Sequence, residues 1–251
     1  MFKDLLRLEL FPTMWCPGCG IGTLMSQVTM VMDELGLDHT NSAVISGIGC
    51  TGRMAGYMNL DSVYTLHGRT LPVAEAVKMV QPDLKVIVIS GDGDLTSIGG
   101  NHLLHTARRN ANLTVLCNTN EVYGLTGGHA GPTTPKGAKT ISTPEGAAYE
   151  PLNLQNLLKG GSTYFYARTT VYHQFHLRRC VKEALAWPGF SFVDITSQCI
   201  ENYGRRLGFK TGYEMLAWFR EKYKMAPDGA ESLGPFELGI VRKGQTETKD
   251  A

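Results

Sequence analysis

The sequence predicts an α/β domain with a mostly parallel sheet flanked by helices. Three observations predict it. Short apolar, β-branched runs such as Leu84–Ser90 and Leu113–Asn118 have the length and continuity of strands buried on both faces. Stretches of helical periodicity alternate with these runs, as in βαβ units. Glycine, 29 of 251 residues, follows no fixed period. It gathers instead at Cys16–Gly22, Gly47–Gly56, Gly91–Gly100 and Gly124–Gly131, each of which also carries Cys, Asp, His or Asn. Glycine permits close backbone approach, so these clusters read as turns that hold ligands.

Taken in order, Met1–Leu10 is a short amphipathic stretch. Thr23–Leu35 repeats Leu24, Val28, Val31, Met32 and Leu35 at helical spacing and stops at Gly36, a C-cap residue. Ser42–Ile48 is a strand that runs into Gly49-Cys50-Thr51-Gly52. Leu71–Val80 is a helix, with Pro72 in its first turn and Pro82 beyond its end. Leu84–Ser90, a helix over Gly99–Arg109 and Leu113–Asn118 then form one βαβ unit. Val122–Pro151 has little apolar periodicity and much Gly, Pro, Thr and Lys, which reads as a functional loop or a disordered one. Leu152–Leu158 is a short helix and Tyr164–Thr169 a strand. Tyr172–Ala186 is a helix, Phe190–Ile195 a strand that leads to Cys199, and Tyr213–Lys222 a helix. Residues 1–242 are expected to form one domain, and the polar stretch 243–251 a disordered tail.

Composition removes several functional classes. Lys and Arg number 24 against 23 Asp and Glu, a formal net charge of +1. Such a balance gives no global pull toward nucleic acid or an anionic membrane. The longest apolar run is far short of the ~20 residues of a membrane span, and the N-terminus lacks a signal-peptide core. The expectation is a cytoplasmic chain. There its six cysteines suit metal binding or catalysis better than disulfides.

Gly91-Asp92-Gly93-Asp94 follows directly on a predicted strand. Ligands of open α/β sheets bind at such strand ends. A carboxylate there suits Mg²⁺, which takes oxygen ligands and shares them with phosphates. Twenty-six residues after the glycine pair stands Asn120, at the end of the next strand. In a parallel sheet the two ends are neighbours, so Asp92 and Asn120 can meet on one metal ion, with the Val122 carbonyl as a third oxygen. Gly-Asp-Gly alone is a common turn. At this spacing, with strand, helix and strand between, it resembles the diphosphate-binding motif of thiamin diphosphate enzymes. The chain has neither a Gly-x-Gly-x-x-Gly fingerprint nor a Walker lysine.

Cys16 and Cys19 form a Cys-x-x-Cys. Cys50 ends the next strand and Cys199 follows the late one. Four thiolates suit a [4Fe–4S] cluster or a zinc ion. The scattered spacing favours a cluster held by loops, because structural zinc usually pairs two Cys-x-x-Cys knuckles. Cys117 and Cys180 read as buried core residues. His67, by itself, reads as a histidine satisfied by backbone in preference to one beside a cofactor, because most histidines are not catalytic.

Taken together, these motifs resemble the β subunit of 2-oxoacid:ferredoxin oxidoreductases. The resemblance covers Phe11 to about Trp218. It rests on Trp15-Cys16-Pro17-Gly18-Cys19-Gly20, Gly47-Ile48-Gly49-Cys50, His67-Gly68-Arg69 with Leu71-Pro72, Gly91-Asp92-Gly93-Asp94 with Gly99-Gly100-Asn101-His102, and the loop from Val122 to Gly128 with Pro132-Thr133-Thr134. Tyr203-Gly204-Arg205-Arg206 followed by Glu214 to Trp218 looks most like the 2-oxoglutarate branch. The implied fold is the thiamin diphosphate-binding fold. The implied activity is oxidative decarboxylation of a 2-oxo acid to acyl-CoA and CO₂, with electrons passed through a [4Fe–4S] cluster to ferredoxin. The resemblance assigns Cys16, Cys19, Cys50 and Cys199 to the cluster and Asp92, Asn120 and the Val122 carbonyl to Mg²⁺. It places Gly91, Gly93, Asp94, Gly124, Leu125 and Thr126 around the diphosphate, and Gly49, Cys50 and His67 near the thiamin. Arg53 falls where relatives place a cation near the substrate carboxylate.

Thiamin activation needs a carboxylate at the aminopyrimidine, and no Glu of this chain stands at a suitable strand end. In the family that residue belongs to a separate α subunit. The implied partners are therefore that subunit, possibly further ferredoxin-like subunits, ferredoxin, coenzyme A and the 2-oxo acid. Three residues depart from the common pattern: Ile200 follows Cys199 in place of Pro, His129 replaces Gln and Gly127 replaces Lys. Pyruvate and branched-chain 2-oxo acids remain open as substrates. The other readings are a non-oxidative thiamin decarboxylase or synthase subunit, which the cysteines oppose, and a zinc-stabilised scaffold, which leaves Gly-Asp-Gly and Asn120 unexplained.

Overall fold

A computed structural model describes residues 2–161 and 163–244. After two short 3-10 turns over Phe2–Leu5 and Leu8–Leu10, the chain forms α1 (Gly20–Glu34), β1 (Ser42–Ser46), α2 (Met54–Tyr57), β2 (Asp61–Tyr64), α3 (Thr70–Val80) and β3 (Lys85–Gly91). A π-helical turn over Asp94–Ile98 precedes α4 (Gly100–Arg108), β4 (Thr114–Thr119), β5 (Val122–Tyr123), β6 (His129–Ala130), α5 (Leu154–Leu158) and β7 (Tyr164–Thr170). Then come α6 (Gln174–Ala186), β8 (Ser191–Thr196), a second π-helical turn over Ile200–Gly204, α7 (Gly212–Lys222), β9 (Lys224–Met225) and β10 (Glu237–Lys243).

Eight strands form one sheet in the order β2-β1-β3-β4-β8-β7-β10-β9. Every pairing in it is parallel except that of β10 with β7. The central strands are buried on both faces because their side chains alternate between two helical layers. Ile87 and Ile89 of β3 join the layer of α1 and α6, while Val86 and Val88 join that of α3, α4 and α5. Each such side chain contributes about 1.5–3 kcal/mol on burial, which is why the runs read as continuously apolar.

Register places the site. Ser46 pairs with Ile89, Gly91 with Asn118 and Thr119 with Thr196. The loops after β1, β3, β4 and β8 therefore leave one edge of the sheet side by side. These are the loops that carry Cys50, Asp92, Asn120 and Cys199.

The sequence reading missed several elements. Strand β2 has all four residues exposed, so no apolar signal marks it. Strand β10 pairs antiparallel with β7 and lies between it and the two-residue β9. It ends at Lys243, inside the stretch expected to be a tail, while residues 245–251 of that stretch lie outside the described residues. The loop from 122 to 151 is ordered by local bonds. Gly137 N–H donates to Ala147 O (2.8 Å), Ala147 N–H to Ala138 O (2.9 Å) and Ile141 N–H to Gly128 O (3.0 Å).

Candidate cofactor and metal site

Asp92 is 2% exposed. Its Oδ2 accepts the Glu121 N–H (2.9 Å) and the Thr133 hydroxyl. Burial pushes its pKa up to about 6, against the opposing hydrogen bonds from Thr133, Glu121 and Gly93. A divalent cation is the natural counterweight to a carboxylate whose charge is disfavoured by burial. Asn120 Oδ1 accepts the Val122 N–H at 3.2 Å. Around these oxygens lies a cavity of about 100 Å³ lined by Ile48, Gly49, Cys50, Thr51, His67, Gly91, Asp92, Gly93, Asp94, Asn120, Val122, Tyr123, Gly124, Leu125 and Thr126. Every residue that the resemblance assigns to Mg²⁺, diphosphate or thiamin thus borders one space. Its all-oxygen donor set fits a Mg²⁺–diphosphate group.

Asp94 plays a different part from Asp92. Its Oδ1 accepts N–H groups of Gly68 (2.8 Å) and Ile48 (3.3 Å), and its Oδ2 accepts the Ser90 hydroxyl (2.7 Å). His67 Nδ1 stands 2.7 Å from Asp94 Oδ1 but out of line for a directed hydrogen bond. The Asp94 carboxylate is thus spent on the protein. It ties the loops after β1 and β2 to the Gly-Asp-Gly turn and fixes His67 at the cavity wall.

The four candidate cluster ligands border a second cavity, of about 140 Å³, together with Trp15, Arg53, Asn120, Gly124, Leu125 and Asn202. Trp15 Nε1 donates to Cys50 O at 2.9 Å, and Gly20 N–H donates to Gln198 O at 3.0 Å. These bonds join the Cys-x-x-Cys loop to the Cys50 and Cys199 loops. Burial pushes the Cys19 thiol up to about 12 and Cys199 up to about 11, and raises Cys50. Neighbouring cysteines add to each shift, so a cationic centre among these sulfurs would favour their thiolate forms. Among the described residues, no three His, Cys, Asp or Glu side chains stand close enough to hold a single metal ion. The donor set, four sulfurs around a cavity, fits a polynuclear cluster. Cys117 and Cys180 are buried away from it.

The two cavities share Cys50, Asn120, Gly124 and Leu125. Gly124 stands in that wall close to two of the sulfurs. A Cβ there would lie 3.3 Å from Cys199 Sγ and 4.0 Å from Cys50 Sγ. Arg53 borders the cysteine cavity and not the cofactor one, with its guanidinium carbon 5.9 Å from the centre of the Tyr64 ring.

Some contacts of the site carry no sequence signal. Thr133 bonds Asp92 from 41 positions away. Asn118 Nδ2 donates to Thr51 Oγ1 at 2.9 Å. Asn202 Nδ2 donates to Gly124 O at 2.7 Å. Glu121 has a φ of 66°, and its buried carboxyl is pushed up to about 7 by burial, opposed by a hydrogen bond from Tyr203 and reinforced by Asp92 and Asp194. The positive φ turns the Glu121 N–H to Asp92 and its carbonyl to the Thr134 hydroxyl.

A buried Asp and an Asn at adjacent parallel strand ends, around a glycine-lined cavity, define the cofactor-binding domain of a thiamin diphosphate enzyme. Residues 47–195 match the family model for the thiamine pyrophosphate enzyme, C-terminal TPP binding domain. The chain is 40% identical over 233 residues to 2-oxoglutarate synthase subunit KorB of Methanothermobacter thermautotrophicus, covering 90% of this chain and 82% of that one. It is 42% identical over 248 residues to subunit beta of 2-oxoacid:ferredoxin oxidoreductase 2 of Aeropyrum pernix, covering 92% and 80%. Its fold is similar to 2-oxoglutarate:ferredoxin oxidoreductase from Magnetococcus marinus, solved with 2-oxoglutarate, coenzyme A and succinyl-CoA bound. That similarity has a TM-score of 0.86 and 33% identity, covering 97% of this chain and 85% of that one. The chain belongs to the family of 2-oxoacid:ferredoxin oxidoreductase β subunits.

Proposed function

We propose that this β subunit takes part in the oxidative decarboxylation of 2-oxoglutarate to its acyl-CoA and CO₂, with electrons leaving through a [4Fe–4S] cluster to ferredoxin. The observation that carries this reading is the shared wall. A glycine-lined oxygen site and a four-cysteine cavity meet at Cys50, Asn120, Gly124 and Leu125, which suits a decarboxylating cofactor that must give up single electrons. When bound, thiamin diphosphate supplies the electron sink for decarboxylation and the cluster supplies the one-electron acceptor.

The chain's own residues do the rest. Asp92, Asn120 and the Val122 carbonyl would hold Mg²⁺. Gly91, Gly93, Gly124, Leu125 and Thr126 would cradle the diphosphate, with Gly49, Cys50 and His67 toward the thiamin. Asp94 holds His67 in place. Cys16, Cys19, Cys50 and Cys199 would hold the cluster. Arg53, exposed beside the cysteine cavity, offers a guanidinium fork to a substrate carboxylate. The choice of 2-oxoglutarate follows the relatives' names and the Tyr203 to Trp218 stretch. The activating carboxylate is assigned to a partner subunit, so this chain alone is inactive. Six free cysteines suit a reducing compartment, the cytoplasm.

The test starts with chain purified without oxygen. About four irons and four sulfides per chain are expected for a four-cysteine cubane. With the partner subunit, coenzyme A and a panel of 2-oxo acids, ferredoxin reduction is expected with 2-oxoglutarate first. Zinc in place of iron would remove the electron-transfer half. Sustained turnover by the isolated chain would remove the shared active site.

A further inference from the structure

We propose that Asn202 is a positioning residue that couples the redox state of the cysteine cavity's cluster to diphosphate binding in the neighbouring cavity. The inference rests on the reading above, and three contacts of Asn202 carry it. The Asn202 backbone N–H is directed at the Cys199 thiol. Its side-chain Nδ2 donates to Gly124 O at 2.7 Å. Its carbonyl is pressed by Gly128, where a Cβ would come within 2.2 Å of Asn202 O. One residue, on the wall of the cysteine cavity, therefore faces a cluster ligand on one side and on the other holds Gly124 by a hydrogen bond and packs closely on Gly128. That segment carries Gly124, Leu125 and Thr126 of the cofactor cavity.

The local backbone explains how one residue can face both ways. Gly204 N–H donates to Cys199 O (2.8 Å) and Arg205 N–H to Ile200 O (3.0 Å). These are five-residue bonds, a single π turn set between the cysteine and the sequence that follows. Such turns recur at functional sites.

The chemistry of coupling follows. Reduction places negative charge on the cluster and its thiolate sulfurs. An N–H donor to a charged acceptor binds more strongly, and hydrogen bonds to sulfur set cluster potentials. Asn202 is drawn toward Cys199 in the reduced state, and its hold on the Gly124 carbonyl changes with it. Conversely, a diphosphate that seats residues 124–126 fixes the Asn202 side chain and, through its backbone, the N–H on Cys199. Thermodynamic linkage requires the two effects to be equal. The competing explanation is direct charge interaction across the Gly124 wall, which needs no Asn202.

The experiment measures the dissociation constant of thiamin diphosphate with Mg²⁺ by anaerobic calorimetry, without 2-oxo acid. It uses the full chain in the complex with which it purifies, once with the cluster oxidised and once with it reduced by dithionite. In the unsubstituted protein the two constants are expected to differ about tenfold, within the usual range for coupled sites. That is about 59 mV of cluster potential for a one-electron couple. Asn202→Asp keeps the shape and the backbone N–H but puts an oxygen against the Gly124 carbonyl, and Asn202→Ala removes the contact. Both are expected to hold iron and sulfide at the level of the unsubstituted protein and to show less than a twofold difference, on the order of the noise around no coupling. A tenfold difference that survives in the variants would assign the coupling to direct charge interaction and overturn the proposal. So would no difference in the unsubstituted protein, or folded variants of both kinds that cannot hold the cluster, which would make Asn202 a strut. An unsubstituted protein without iron would refute the functional reading itself, before any variant is made.

Discussion

A Cβ at position 47 would stand 2.0 Å from Asp94 Oδ2 and 2.7 Å from Ser90 Oγ. Asp94 is already committed to Ser90, Gly68, Ile48 and His67, so it has nowhere to retreat. Gly47→Ala is expected to cost about 1–3 kcal/mol as an overpacked site, read as a lower urea midpoint, and to weaken thiamin diphosphate binding because His67 loses its anchor. An unchanged midpoint would show that the Asp94 knot is slack. Asp92→Asn keeps the volume but removes the charge offered to Mg²⁺. Mg²⁺-dependent cofactor binding is expected to weaken on the order of 100-fold, since loss of even an outer partner costs 10–100-fold at metal sites. Iron content should stay unchanged. Equal loss of iron would mean that the substitution has disrupted both cavities. At this scale the sequence was legible where spacing is chemistry: Asp92 and Asn120 are tied by the βαβ unit between them. It was silent on Glu121 and Asn202, and it marked Thr133 only as part of a motif and not as a partner of Asp92, because these roles arise from loops that meet only after folding.

At the scale of elements, the strands read best were those buried on both faces, β3, β4 and β8, where most positions are apolar or small and a few polar side chains such as Asn118 and Asp194 interrupt the run. Strand β2, an edge strand with every residue exposed, and β10, only partly buried, escaped because neither carries such a continuous signal. The two π turns escaped because a five-residue bond leaves no compositional mark. The parallel core also holds a polar knot. Asp194 on β8 accepts the Thr119 hydroxyl (2.6 Å), the Tyr166 hydroxyl (2.7 Å) and Arg168 Nε (3.2 Å). Arg168 also reaches Gly234 O at 2.6 Å and so pins the segment that leads into β10. Arg168→Met leaves the Asp194 carboxylate without its cation, and about 3–5 kcal/mol of stability should be lost. Denaturant unfolding checks this, and a loss under about 1 kcal/mol would class the pair with surface ion pairs. On α6, His176 packs its Nδ1 3.0 Å from Thr169 Oγ1. Burial pushes its pKa down to about 4, with Arg179 and His173 adding to the shift and Glu183 opposing it. The folded value lies below the ordinary one of about 6.5, so the unfolded chain takes up the proton first. This contribution is full above about pH 6.5 and is lost as pH falls toward 4. His176→Gln should flatten the fall of the thermal midpoint over that window, and an unchanged slope would place the acid sensitivity elsewhere.

The whole molecule presents its cofactor cavity beside an apolar rim. Leu66 is 79% exposed, Ile98 52% and Leu125 49%. They are neighbours: His67 and Leu125 line the same cavity, and a Cβ on Gly68 would lie 2.8 Å from Ile98 Cγ2. Large side chains exposed together mark a surface that another protein covers, and the relatives are named as subunits of larger enzymes. The rim borders the cofactor cavity, so a partner subunit seated on it would stand beside that cavity. Leu66→Asp tests this without touching the cavity, because its side chain points to solvent. It should weaken assembly with the partner subunit by about tenfold, the effect of losing an interface residue worth more than 1 kcal/mol. Iron content and thiamin diphosphate binding of the chain itself should stay the same, and turnover at low partner concentration should fall in step with assembly. Recovery at high partner concentration would show that Leu66 serves docking alone. Unchanged assembly would move the interface away from this rim, and the completed active site would then have to be sought on another face of the sheet's carboxyl edge.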